Sequence, residues 1–174
     1  MMKMPTFVRP QRSLLAALIF SVPVMLTGVT IPTGAWAQPA ANHGNPTQAG
    51  IAQPALSAIR LTAGMHLITA EVASTPQARE KGLMFRKELA PNHGMLFVFP
   101  TPSHLCFWMM NTIVPLSIAF MRDDGTIVNI ADMQPMTVNS HCATESVRFA
   151  LEMEQGWFAK RGITAGKQIA GLPK

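Results

Sequence analysis

The sequence predicts a mainly β protein, a small β-sandwich or barrel-like domain with one short helix. Three observations carry this. From residue 57 onward, about eight short runs are either continuously apolar or alternate between apolar and polar. Turn signals rich in Gly, Pro, Asn and Asp separate them. Only the stretch after Thr75-Pro76 carries a strong helix-start signature. Many short strands with frequent turns pack as a sandwich or close as a barrel.

The segment before this domain has a different composition. Lys3, Arg9 and Arg12 precede an apolar run over residues 14–29, which ends at Ala35-Trp36-Ala37 before Gln38. Basic start, apolar middle and small-residue site are the order of a secretory signal. Pro23 and Gly28 interrupt the run, and it falls short of the roughly 20 apolar residues of a membrane span. Residues 1–37 are therefore expected to be a signal peptide cleaved near Ala37, leaving a periplasmic or secreted protein. The rival is an uncleaved segment anchoring the domain to the inner membrane. Without a Cys at the cleavage site, a lipid-anchored precursor is not expected. Residues 38–56, rich in Gln, Pro, Ala, Asn and Gly and containing His43, read as a disordered linker. Residues 57–174 form the single domain.

Charge bears on partners. The whole chain carries 14 basic and 9 acidic residues, three of the basic ones in the signal. The mature protein is thus close to neutral and its basic residues are scattered. Nucleic-acid binding needs a clustered basic face, so no nucleic-acid partner is expected.

The elements follow in order. Residues 57–61 and 65–72 read as strands around Ala63-Gly64. Thr75 caps a helix reaching about Phe85, with Pro76 at its first position, where a missing N–H is harmless. Gly82 inside it costs about 1 kcal/mol against Ala and points to close packing. After the turn at 91–94, residues 95–99, 105–109 and 116–121 read as buried strands. Asp123-Asp124-Gly125 then makes a hairpin, because Gly accepts the positive φ such turns demand. Residues 126–133 return. Residues 146–153 alternate, with Ser146, Arg148, Ala150 and Glu152 opposite Val147, Phe149, Leu151 and Met153. A helical turn over 157–161, ended by Gly162, precedes a last strand at 167–170.

Three segments carry a resemblance: Thr75-Pro76-Gln77-Ala78-Arg79-Glu80-Lys81-Gly82-Leu83-Met84-Phe85-Arg86, Gly94-Met95-Leu96-Phe97-Val98-Phe99, and Phe107-Trp108-Met109-Met110-Asn111-Thr112 followed by Pro115-Leu116-Ser117-Ile118. In this order and spacing the chain resembles the domain-of-unknown-function family 192 over about residues 61–169. The resemblance implies a compact β-sandwich-like fold, often exported, and no established activity. Met110 stands where the family usually has Lys, and Ser117 where it often has Asp. A role needing that cation or carboxylate does not carry over.

The polar residues inside these segments are the candidate site. Arg79, Glu80 and Arg86 either pin helix to sheet or form an anion or carboxylate site, since guanidinium groups suit bidentate binding. Asn111 and Thr112 either bond their local backbone or line a cleft beside Trp108. Cys106 and Cys142 are an even pair in an oxidising compartment, so a disulfide is expected, with two separate buried thiols as the rival. Met133, Met136 and His141 offer soft ligands for Cu(I), whereas Met95, Met109 and Met153 read as core filling. His66, His93 and His104 are isolated. Asp132, Glu80, Glu152, His104 and His141 could titrate, and Cys106, if free, could act as a nucleophile with His104 or His141 as base. No hydrolase, zinc-protease, P-loop or dinucleotide fingerprint occurs, and no cofactor is expected. The leading expectation is a non-catalytic domain binding a small polar ligand or a protein partner in a cleft. A periplasmic copper carrier and a hydrolase-like or other enzyme are the alternatives.

Overall fold

A computed structural model describes residues 50–174; the signal-peptide reading, its cleavage site and the linker reading as far as residue 49, His43 included, lie outside the described residues. Seven strands form one curled half-barrel sheet. They are β1 (Ala58–Ala63), β2 (His66–Ala73), β3 (His93–Ser103), β5 (Leu116–Met121), β6 (Ile127–Met133), β8 (Val147–Glu154) and β9 (Ile169–Ala170), in the order β6-β5-β8-β3-β2-β1-β9. A small second sheet pairs β4 (Cys106–Phe107) with β7 (His141–Cys142). The expected fold class is the observed one.

Local chemistry explains the elements. Gly64, at φ 59°, turns β1 into β2. Gly125, at φ 83°, turns β5 into β6, and Asp124 Oδ1 accepts the Thr126 N–H at 2.8 Å. Helix α1 (Pro76–Lys81) is the crossover that lets β2 and β3 run parallel. Thr75 Oγ1 accepts the Ala78 N–H at 3.2 Å, the cap its sequence promises.

The helix stops at Lys81, not near Phe85. Gly82, at φ 48°, is its C-cap and returns its N–H to the Ala78 carbonyl. A Cβ there would stand 3.3 Å from the Phe97 ring, so the expected close packing is against that ring. The last part of the expected linker is also pinned. The Gln53 amide donates to the Ala78 and Gly82 carbonyls at 3.2 and 2.8 Å, and the Leu56 N–H donates to Glu71 at 2.7 Å. The Gln53 contacts close the C-terminal end of the short helix, where the Gly82 carbonyl lies past the last helical turn.

Both faces of the sheet are covered. Leu96, Ala119, Leu151, Met153, Trp157 and Phe158 pack on one face. Met95, Phe97, Leu105, Ile118, Phe120 and Ala150 pack on the other, beneath α1 and the β4–β7 pair. The second layer also covers the face of β8 that carries Arg148, Ala150 and Glu152, so that Ala150 and Glu152 are buried. Among the described residues no helix is long and apolar enough to cross a membrane.

Candidate functional site

A cleft of about 380 Å³ opens between α1 and the segment running through β4 to Thr112. Its apolar wall is Phe97, Phe99, Leu105 and Phe107. Phe107 meets Phe97 edge-on at 4.8 Å, which fixes both rings. Trp108, half exposed, and Met110 stand at the lip. Of the expected site residues, Arg79, Glu80, Trp108 and Thr112 line this cleft. Asn111 lines an adjoining groove that shares Glu80, Lys81, Met84 and Met110.

Arg86 is not in the cleft. It pairs with Glu71 at 2.9 Å, and the same Glu71 oxygen accepts the Leu56 N–H. Arg79 lines the cleft while also serving the fold. Its Nη1 donates to the Ser74 and Val98 carbonyls, and its guanidinium lies over the Phe99 ring at 4.8 Å. Asn111 takes a left-handed φ of 60°, its carbonyl accepts the Phe85 N–H at 2.8 Å, and its side-chain amide reaches the Met84 sulfur at 4.0 Å. Thr112 is bonded through its backbone, to the Met109 carbonyl and from the Met136 N–H. Ser117 lies apart from the cleft, donating to Asp132 and accepting the Gly156 N–H.

Glu152, one of five residues expected only to be able to titrate, holds the most telling position. It lies on the covered face of β8 between Met95 and Ile118 of the flanking strands, is 4% exposed, and forms part of the cleft wall. Among the described residues no side chain or backbone group bonds its carboxyl, and burial alone pushes its pKa up to about 8. It is therefore mainly a neutral acid at pH 7, able to donate one hydrogen bond and accept others. One signal could have singled it out: an acid flanked by Phe149-Ala150-Leu151 on one side and Met153 on the other.

Cys106 and Cys142 are bridged, directly opposite each other in the β4–β7 pair, and Cys106 lines the cleft. With no free thiol, the nucleophile reading of Cys106 falls. Met133 is sealed in the apolar core while Met136 projects into solvent. Met95, Met109 and Met153 are buried, as core filling requires. His104 borders the cleft, and His66 meets the Trp157 ring edge-on at 6.3 Å.

Solved structures of the same architecture exist. One, from Sinorhizobium meliloti and provisionally described as a transcription regulator, is 34% identical, covers 68% of this chain and 97% of its own, and superposes with a TM-score of 0.64. Another, a protein of unknown function from Novosphingobium aromaticivorans, is 33% identical, covers 74% of this chain and 99% of its own, with the same TM-score of 0.64. No curated protein matches the chain. The profile of DUF192, described as uncharacterized ACR, matches residues 59–171, which takes in every strand from β2 to β9 and the whole cleft, and the chain belongs to that family.

Proposed function

We propose that this protein is a non-catalytic binding domain that holds a small ligand, part apolar and part polar, in the cleft between α1 and β4. One observation carries the reading: a carboxyl with no partner among the described residues stands in the wall of an aromatic-lined cleft. Partial desolvation of a carboxyl costs free energy even where, as here, its oxygens reach the cleft. An apolar residue at Glu152 would avoid that cost, so a carboxyl kept there fits a site whose partner arrives from outside. An apolar hollow with few polar groups is the usual form of a small-molecule site.

We also propose that binding takes place outside the cytoplasm, after removal of residues 1–37. Cell fractionation with N-terminal sequencing tests this: the mature chain should begin at Gln38 in the extracytoplasmic fraction.

The cleft itself is tested by a fragment screen with ligand-observed NMR on the mature protein. Aromatic fragments carrying one polar group should bind. Trp108→Ala and Glu152→Gln should each weaken them about tenfold while the circular dichroism stays unchanged. Fragments that bind all three proteins equally, or none that bind, would sink the reading.

A further inference from the structure

The cleft reading leaves the ligand class open, and resting on that reading, we propose that the cleft takes an organic ammonium ion on an apolar or aromatic body, its charged head at Glu152 and its body against Phe97, Phe107 and Trp108. The argument starts from what each charged group facing the cleft is already doing. From α1, Arg79 is bound to the Ser74 and Val98 carbonyls and stacked on Phe99, and the Lys81 ammonium lies over the Phe85 ring at 4.7 Å. Neither cation is bonded to Glu152, whose raised pKa has burial as its sole cause. Glu80, also from α1, adds a second carboxylate at the lip, and His104 borders the opening from the segment before β4. Along β8, Arg148 donates to the Phe99 carbonyl at 3.1 Å, and Glu154 is exposed at the strand end. The flanking strands offer only Met95 and Ile118 beside Glu152. Among the described residues Phe97 and Phe107 carry no cation, and Trp108 has no ring or cation partner. Aromatic faces and a carboxyl together favour a cation.

The chemistry is an exchange. A protonated amine enters with its charge, Glu152 releases its proton to solvent, and an ammonium–carboxylate pair remains inside the cleft. No covalent bond to carbon forms or breaks. Because the acid is mainly neutral below pH 8, the ligand must draw out the ionised form.

The experiment is isothermal titration of the mature protein with phenethylammonium and with 2-phenylethanol, its neutral counterpart of the same shape. For the ammonium, affinity should rise about tenfold from pH 6 to pH 7 and flatten above about pH 8. Titrations in two buffers of different ionisation enthalpy should show close to one proton released per ligand at pH 7. Glu152→Gln should abolish both the release and the pH dependence and cost the ammonium far more affinity than the roughly tenfold that it costs the alcohol, which still binds. Equal binding of alcohol and ammonium, no proton release, or an ammonium affinity untouched by Glu152→Gln would overturn the inference while leaving a cleft that binds neutral ligands. Absence of ammonium binding at pH 8 also overturns it, and binding of the alcohol then separates that failure from failure of the cleft.

Discussion

Glu152 sets a pH dependence on the fold as well as on the cleft. Burial raises its pKa from 4.5 to about 8. The folded state keeps the proton across that range, whereas the unfolded chain releases it. The stability linked to this proton is therefore complete below pH 4.5 and is lost as pH rises through about 8, a difference of up to about 5 kcal/mol. Glu152→Gln keeps the shape and removes the titration. In urea denaturation the variant and the wild type should have similar stability near pH 5, and the variant should be several kcal/mol more stable near pH 8.5. Parallel curves would mean that the carboxyl finds water or another partner when ionised. The residues that read most clearly in the sequence were those with local duties: the Thr75 cap, the Gly125 turn and the core methionines. Glu152 was legible only as a candidate among several, because its burial depends on a layer contributed by α1 and β4, distant in sequence. Arg86 takes the pinning alternative, and its partner Glu71, on another element, was not legible for the same reason.

At the scale of elements, sequence patterns located the long strands within a few residues and the short β9 at 167–170, but misjudged both strands of the small sheet. Strand β7, His141–Cys142, lies in what reads as a loop, and the run over 105–109 shrinks to Cys106–Phe107. Two such pieces have too little backbone pairing to persist alone. Their junction is the Cys106–Cys142 bridge, supported by the Asn129 amide, which donates to the Cys142 carbonyl and accepts the Thr144 N–H, both at 3.0 Å. The bridge spans a sequence separation of 36, which the loop-entropy treatment values at about 4 kcal/mol. Since β4 carries Cys106 and Phe107 into the cleft wall, the element ties stability to binding. Thiol trapping of the mature protein before reduction should label no cysteine. After mild reduction, or in the Cys106→Ala, Cys142→Ala double variant, stability should drop by several kcal/mol and fragment affinity should fall with it. A stability loss with unchanged affinity would show that the cleft does not need β4 held in place.

The whole molecule depends on how its curled sheet treats its two edges, β6 and β9. An unpaired edge invites pairing with another chain. Here the C-terminal segment engages both sides. Ile169 and Ala170 pair with β1, while the Lys167 carbonyl accepts the Ile127 N–H at 2.8 Å, the Ile127 carbonyl accepts the Gly166 N–H at 2.8 Å, and the Ile169 N–H donates to Gly125 at 3.0 Å. Gly125 permits this approach, because a Cβ there would collide with the Ile169 carbonyl oxygen. One glycine thus forms the β5–β6 turn and admits the clasp. Ile169 itself is buried in the core cluster of Leu61, Ala119 and Phe149. Ile169→Ala removes the side chain but leaves the backbone bonding, so it should cost about 2–4 kcal/mol. Deleting residues 167–174 removes the backbone clasp too, and should cost more than Ile169→Ala and promote self-association through the bared edges of β1 and β6. Thermal unfolding with size-exclusion chromatography compares the two. If deletion costs no more than the single substitution and the protein stays monodisperse, the terminal segment contributes one apolar side chain and the half-barrel holds its curl without it.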